Sequence, residues 1–175
     1  MTAESLFTRR RIIVLAVCVS IFALGQFHRA SGAVFSPILM ERFDASAATI
    51  GGLVSAMFLA TVIAQAPFGI LLDKFGPRYV IAGCLSMIAV GAAVFAMGAT
   101  FEALLASRIM IGVGSAAMGA ATYVIIGRTF PARDFGYISG LVVTIGGVGG
   151  ILGSFPLSVA LERLPWGLVF GGVSA

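Results

Sequence analysis

Five long stretches of the chain are almost free of charge, and short polar segments separate them. A helix needs about 20 apolar residues to cross a bilayer core about 30 Å thick. Applied along the chain, that rule predicts spans over 12–36, 48–72, 79–98, 103–127 and 135–160, with Pro37 closing the first. A sixth run, 166–175, opens at Trp166 and reaches Ala175 at about half a crossing length. The chain is therefore expected to stop inside a helix, as a fragment or truncated product would. Residues 1–11 are expected to form a short tail and 12–175 a single transmembrane bundle. The connections PILMERFDASA, DKFGPR, ATFE, RTFPARD and LERLP hold no inserted soluble domain.

Composition makes lipid the expected solvent. The chain is 59% hydrophobic and 10% charged, with a mean hydropathy of +1.09, where a soluble domain is about a quarter charged. The net charge of +4 comes without a basic patch or arm, so nucleic acid is not an expected partner. Basic residues instead report topology. If the spans alternate, Arg9, Arg10, Arg11, Lys74, Arg78, Arg128 and Arg133 fall on one side and only Arg42 and Arg163 on the other. The positive-inside rule then puts the N-terminus in the cytoplasm of a multi-pass cell-membrane protein. TRRRIIVLA resembles the start of a secretory signal, but its apolar run is too long, carries His28 and Arg29, and precedes four more spans. Cys18 and Cys84 sit in apolar runs and read as small core residues, since a closed zinc site needs about four ligands. No nucleophile–base pair, ligand cluster or phosphate loop is visible, so neither an enzyme nor a cofactor is expected.

Two cations interrupt the apolar runs. Arg29 lies on the order of 7–8 Å beyond the middle of its span and Arg108 on the order of 10 Å from the middle of its own, both toward the outside. Intramembrane charge is expensive and usually faces a cavity or a partner. Gln26, Gly25, Gly32, Ala33 and Ser36 share the helix face of Arg29. Gly112, Ser115, Gly119, Thr122 and Tyr123 follow Arg108 in the same way. These stripes predict a hydrated wall shared by both guanidinium groups, with Gln26, His28 and Tyr123 nearby. For Arg108 the competing account is snorkelling to the outer interface. For His28 it is a packed, hydrogen-bonded imidazole facing a neighbouring helix. All seven acids, from Glu4 to Glu162, lie outside the spans. The fixed charge in the cavity is then positive, and a carboxylate or phosphate suits a guanidinium fork.

GILLDKFGPR joins the second and third spans. Gly76 and Pro77 predict a tight turn. Asp73 opposes the dipole of the helix it ends, which calls for a partner elsewhere. Gly69, Asp73, Lys74, Gly76 and Arg78 match G-x-x-x-D-[RK]-x-G-x-[RK], which resembles the signature loop of the major facilitator superfamily; Pro77 stands where that family often has a basic residue. Arg108, Gly112 and Gly114 resemble its R-x-x-x-G-x-G motif in span four. The resemblance implies an all-α fold, here the N-terminal six-helix bundle with its sixth helix incomplete. It further implies secondary active transport by alternating access, a conformational latch at Asp73 and Arg78, and a missing C-terminal six-helix half as partner.

FHRASGAVFSP, with Arg29 eight residues before Pro37, looks like the first helix of the organophosphate:phosphate antiporters. That likeness implies a phosphate contact for Arg29, although Ala30-Ser31 replaces the usual Lys-Asn. Organic-anion and dipeptide carriers share the general pattern. TIGGVGGILGSFP places Gly146/Gly150 and Gly149/Gly153 at GxxxG spacing, which predicts close helix packing. A hinge resembling the family's antiporter motif is the alternative, but Ser154 stands in place of its proline. The expected function is therefore a carrier of a small, anionic organic solute. A pore subunit and a non-transporting fragment are the alternatives.

Overall fold

The computed structural model describes residues 8–98 and 100–163. These are helical almost throughout, and five helical segments are long and apolar enough to cross a membrane. The partial run at 166–175 lies outside the described residues.

Helix α1 (Arg9–Phe43) is 35 residues long. At 1.5 Å per residue it spans about 50 Å, so it protrudes from a bilayer core. Pro37 does not close it, as the sequence suggested, but lies inside it. A proline removes one ladder hydrogen bond, and membrane helices tolerate this where neighbouring groups compensate. Beside it, the Ser36 hydroxyl donates to the Gly32 carbonyl at 2.9 Å. The helix ends where Asp44 turns left-handed at φ 46°, a conformation Asp adopts more readily than most residues.

Ser46 caps α2 (Ala47–Phe75) by accepting from the Thr49 N–H at 3.2 Å. Pro67 is likewise carried inside that helix. Gly76 makes the next turn at φ 76° and ψ 165°, a region open essentially only to glycine. Pro77 then supplies the first position of α3 (Pro77–Met97), where a missing N–H does no harm. Thr100 caps α4 (Phe101–Ser115) through the Ala103 N–H at 3.2 Å.

The fourth span does not run as one unbroken α-helix. At Ala116 the backbone N–H bonds back to Val113, three residues away, and the α-helical pattern resumes in α5 (Met118–Thr129). The fifth span is also segmented: a 3-10 turn (Ala132–Asp134), α6 (Phe135–Gly146), α7 (Val148–Leu152) and α8 (Phe155–Arg163).

Two packing units make up the bundle. Helix α4 lies between α2 and α3, and α1 packs on α5, α6 and α7. Glycines permit both close approaches. A β-carbon at Gly112 would overlap the Met57 carbonyl oxygen of α2, and one at Gly114 would come within 2.8 Å of the Cys84 carbonyl oxygen of α3. Across the α2–α4 contact the Thr61 hydroxyl lies 2.9 Å from the Gly112 carbonyl oxygen and 2.8 Å from that of Met57. Thr61→Val keeps the shape but removes this donor. It is expected to lower the melting temperature by a few degrees, corresponding to about 0.6 kcal/mol for an intramembrane hydrogen bond, as measured by thermal unfolding in detergent.

Cys18 and Cys84 are free thiols buried in separate apolar clusters. Leu59, Val62, Ile63 and Ile70 form part of an exposed apolar surface on α2, which suits contact with lipid.

Candidate functional site

Helices α1, α2 and α5, with the last residue of α4, converge on a cavity of about 420 Å³. Arg29 enters from α1, Gln65, Phe68 and Gly69 from α2, and Tyr123 from α5. The break at Ser115–Ala117, with Gly119 and Ala120, supplies the rest of the wall. These small residues leave room beside the backbone, while the polar groups stand around them.

The Arg29 guanidinium uses one nitrogen, Nη1, to donate to Gln26 Oε1 at 3.1 Å. That bond orients the side chain from its own helix. A guanidinium has five N–H donors in a planar fork, so donors remain for a solute. The Tyr123 ring lies 6.4 Å from that of Phe135 and is 39% exposed, enough to meet a cavity occupant. The Ser115 hydroxyl donates to Ile111 at 2.7 Å and retains acceptor capacity. Gln65 has an exposed amide in the cavity. Gln65 is not among the expected binding residues, though a lone amide in an apolar span is a signal.

Arg108 is elsewhere, so the two arginines do not share one hydrated wall. It is 2% exposed, which also rules out snorkelling. Its guanidinium carbon lies 4.3 Å from the Phe95 ring centroid and 6.0 Å from that of Phe35. Nη1 is 3.9 Å from Met57 Sδ, and Nε has no hydrogen-bond partner among the described residues. The cause is the stripe that looked like a wetted wall. Gly112, one turn after Arg108, is pressed against the backbone of α2. That face is a helix contact, and Thr122 on the same stripe is fully buried.

His28 is also absent from the cavity. It is 1% exposed and stands edge-on to Phe27 with ring centroids 5.6 Å apart. Its Nδ1 has no hydrogen-bond partner among the described residues. Of the expected solute-binding residues, Arg29 and Tyr123 line the cavity, Gln26 supports Arg29, and Arg108 and His28 are each buried away from it.

The turn motif lies at the bundle end where α1 begins. Asp73, Lys74 and Arg78 are exposed there. Lys74 Nζ stands 5.4 Å from the Phe75 ring centroid, and Asp73 forms no ion pair with any described residue. Gly69, one turn before Asp73, is in the cavity wall, so α2 links the cavity to this turn.

The expected packing glycines divide. Gly112, Gly114, Gly146 and Gly153 sit at close contacts; the last two face Phe22 and the Phe27 backbone of α1. Gly150 does not, since its nearest neighbour is Gln26 Cβ at 3.9 Å. Gly149 has the tighter contact, with no room for a β-carbon against the Ala23 backbone. Among the described residues, no group of three or more His, Cys, Asp or Glu side chains gathers to hold a metal.

Residues 9–175 match the family model described as the Major Facilitator Superfamily. The chain is 23% identical over 159 residues to the riboflavin transporter RibZ of Clostridioides difficile, covering 91% of this chain and 35% of that protein. It is 27% identical over 143 residues to the nitrate/nitrite transporter NrtP of Picosynechococcus, covering 78% and 26%. It is 31% identical over 129 residues to the "Probable L-galactonate transporter" of Escherichia coli, covering 73% and 28%. The chain thus spans about a third or less of the length of each. All three relatives are transporters by name, not enzymes.

Proposed function

The chain belongs to the Major Facilitator Superfamily, and from that premise we propose that it forms the solute-binding bundle of a secondary transporter for a small organic anion. The observation that carries this reading is the Arg29 guanidinium, oriented by Gln26 and exposed in a cavity with Gln65 and Tyr123. No carboxylate lies near the middle of any described span to neutralise it. The cavity therefore offers fixed positive charge, planar donors for a carboxylate or phosphate, and neutral polar groups for the rest of the solute. Nitrate and L-galactonate, named for two relatives, are both anions. The likeness of the Arg29 segment to organophosphate antiporters gives the same sign of charge.

The transport cycle proposed is alternating access against a second bundle. The basic bundle end carrying Arg9–Arg11, Lys74, Arg78, Arg128 and Arg133 faces the cytoplasm. There Asp73, which forms no ion pair with any described residue, engages the second bundle as part of a latch that breaks and reforms.

Counterflow in proteoliposomes containing the assembled transporter tests the reading. Preloaded hydroxy-carboxylates or phosphate esters are expected to accelerate uptake of a labelled anion of the same class, whereas their neutral amides are not. Equal competition by the neutral amides would sink the charge assignment, and absence of trans-stimulation would point to a pore. Gln65→Leu is expected to raise KM about 5–10-fold with little change in kcat, because a hydrogen bond is worth about 1 kcal/mol and this one orients the bound solute.

A further inference from the structure

Another cavity, of about 380 Å³, lies between α2 and α3. Phe68, Leu71 and Phe75 of α2 and Val80, Gly83 and Met87 of α3 line it, with Tyr79 at one end. It runs about 12 Å along α3, from Tyr79 to Met87. Helix α4 lies between α2 and α3 and keeps them apart. Gly83 leaves the gap unfilled, since a β-carbon there would meet nothing within 4 Å. The end at the α2–α3 turn is polar. Lys74 Nζ stands 5.4 Å from the centroid of the Phe75 ring, which brings the ammonium to the mouth of the groove. Tyr79 is 72% exposed at the same end. Helix α3 starts at Pro77 with no side-chain cap, and a helix leaves its first amide donors without internal partners. Asp73 is the one carboxylate of this turn, against the cations Lys74 and Arg78. It is offset from both Leu71 and Phe75 by about 160° around α2, so it points away from the groove.

We propose that this groove holds an acyl chain of an anionic phospholipid, with the lipid phosphate between Lys74 and the N-terminus of α3. The walls fit the tail: Tyr79 is their one polar residue, and Met87 can adapt to a flexible chain. The mouth fits the head. A phosphate suits a helix N-terminus, and a lysine near the membrane surface favours anionic lipid over neutral. A transported solute does not suit the groove, because apolar walls give its polar groups no partners. Elsewhere on α2 the exposed apolar side chains meet lipid by contact alone, whereas here both tail and head are met. Phe68 borders this groove and the Arg29 cavity alike, so the bound lipid backs the wall of the transport site.

Native mass spectrometry of the purified, delipidated full chain tests this, with phosphatidylglycerol or phosphatidylcholine of the same chains titrated in detergent. One phosphatidylglycerol is expected to bind saturably, about 5-fold more tightly than phosphatidylcholine. Lys74→Gln is expected to abolish that preference. Gly83→Trp fills the groove without changing a charge and is expected to lose the bound phosphatidylglycerol. Arg29→Gln is expected to retain it. Equal affinity for the two lipids overturns the proposal. So does a preference that survives Lys74→Gln, or phosphatidylglycerol that stays bound in Gly83→Trp. Loss of phosphatidylglycerol in Arg29→Gln places it in the transport cavity, which overturns this site and leaves the preceding reading intact. A dimer that forms without lipid and dissociates in Gly83→Trp assigns the groove to a second copy of the chain, which also overturns the proposal. Should Gly83→Trp not fold, Gly83→Leu takes its place, because its β-carbon enters the same open space.

Discussion

Gly149→Val is expected to prevent assembly of the bundle. The β-carbon it introduces has no space against the carbonyl and α-carbon of Ala23 in α1. A flexible side chain can move aside, but a helix backbone cannot do so locally. Helices α1 and α7 would have to separate, and the separation would also open the contacts of Gly146 with Phe22 and of Gly153 with Phe27. Overpacking costs typically 1–3 kcal/mol where side chains can adjust, and here three consecutive contacts fail together. The expected result is loss of the monodisperse peak in size-exclusion chromatography and loss of a cooperative melt. Gly150→Val is the matched control. Its nearest neighbour is 3.9 Å away, its φ is not positive, and it should express and melt close to wild type. Equal behaviour of the two variants would mean that the α1–α7 crossing is not set by this glycine.

Arg29→Lys is expected to cripple transport while leaving insertion and abundance unchanged. Lysine preserves the charge but replaces a planar fork with a point-like ammonium. It also changes the bond that Gln26 now uses to orient the side chain. Hydrogen bonds involving a charged group are worth about 1.5–3 kcal/mol, so the apparent affinity for the anion should fall roughly 10–100-fold. The measurement is the concentration dependence of uptake in proteoliposomes, normalised to protein in the membrane. Arg29→Gln should be worse, since the charge is lost as well. Unchanged kinetics in Arg29→Lys would remove the two-pronged contact from the mechanism and leave only a generic attraction.

Much of the fold was legible because the bilayer imposes a local rule. An apolar run has a length, and that length can be counted without knowing its neighbours. The turn at Gly76-Pro77 was legible for the same reason, since both residues dictate their own backbone. Pro37 was misread because proline usually ends a helix in water. The break in the fourth span at Ala116–Ala117 follows a Gly114-Ser115 pair, a kink signal that counting apolar length does not weigh.

The site was only half legible. Arg29 and Tyr123 were identified as polar groups in apolar helices, and the cavity brings them together. Arg108 satisfied the same criterion and sits instead among Phe35, Phe95 and Met57. A stripe of small and polar residues marks either a wetted wall or a close helix contact, and periodicity alone does not distinguish the two. Gly112 against Met57 shows the second. Gly149 and Gly150 are adjacent in the same run, yet one meets the Ala23 backbone and the other has room.

By itself, then, the sequence determined that this is a multi-pass helical membrane protein, roughly where its spans lie, and that cations are embedded in two of them. Those properties follow from hydrophobicity and charge, which each segment carries on its own. Which cation faces the cavity, which glycine touches a backbone, and that Gln65 joins Arg29 were decided only by tertiary structure. A helix's sequence sets the relative directions of its side chains, but what each direction meets depends on the helices packed beside it.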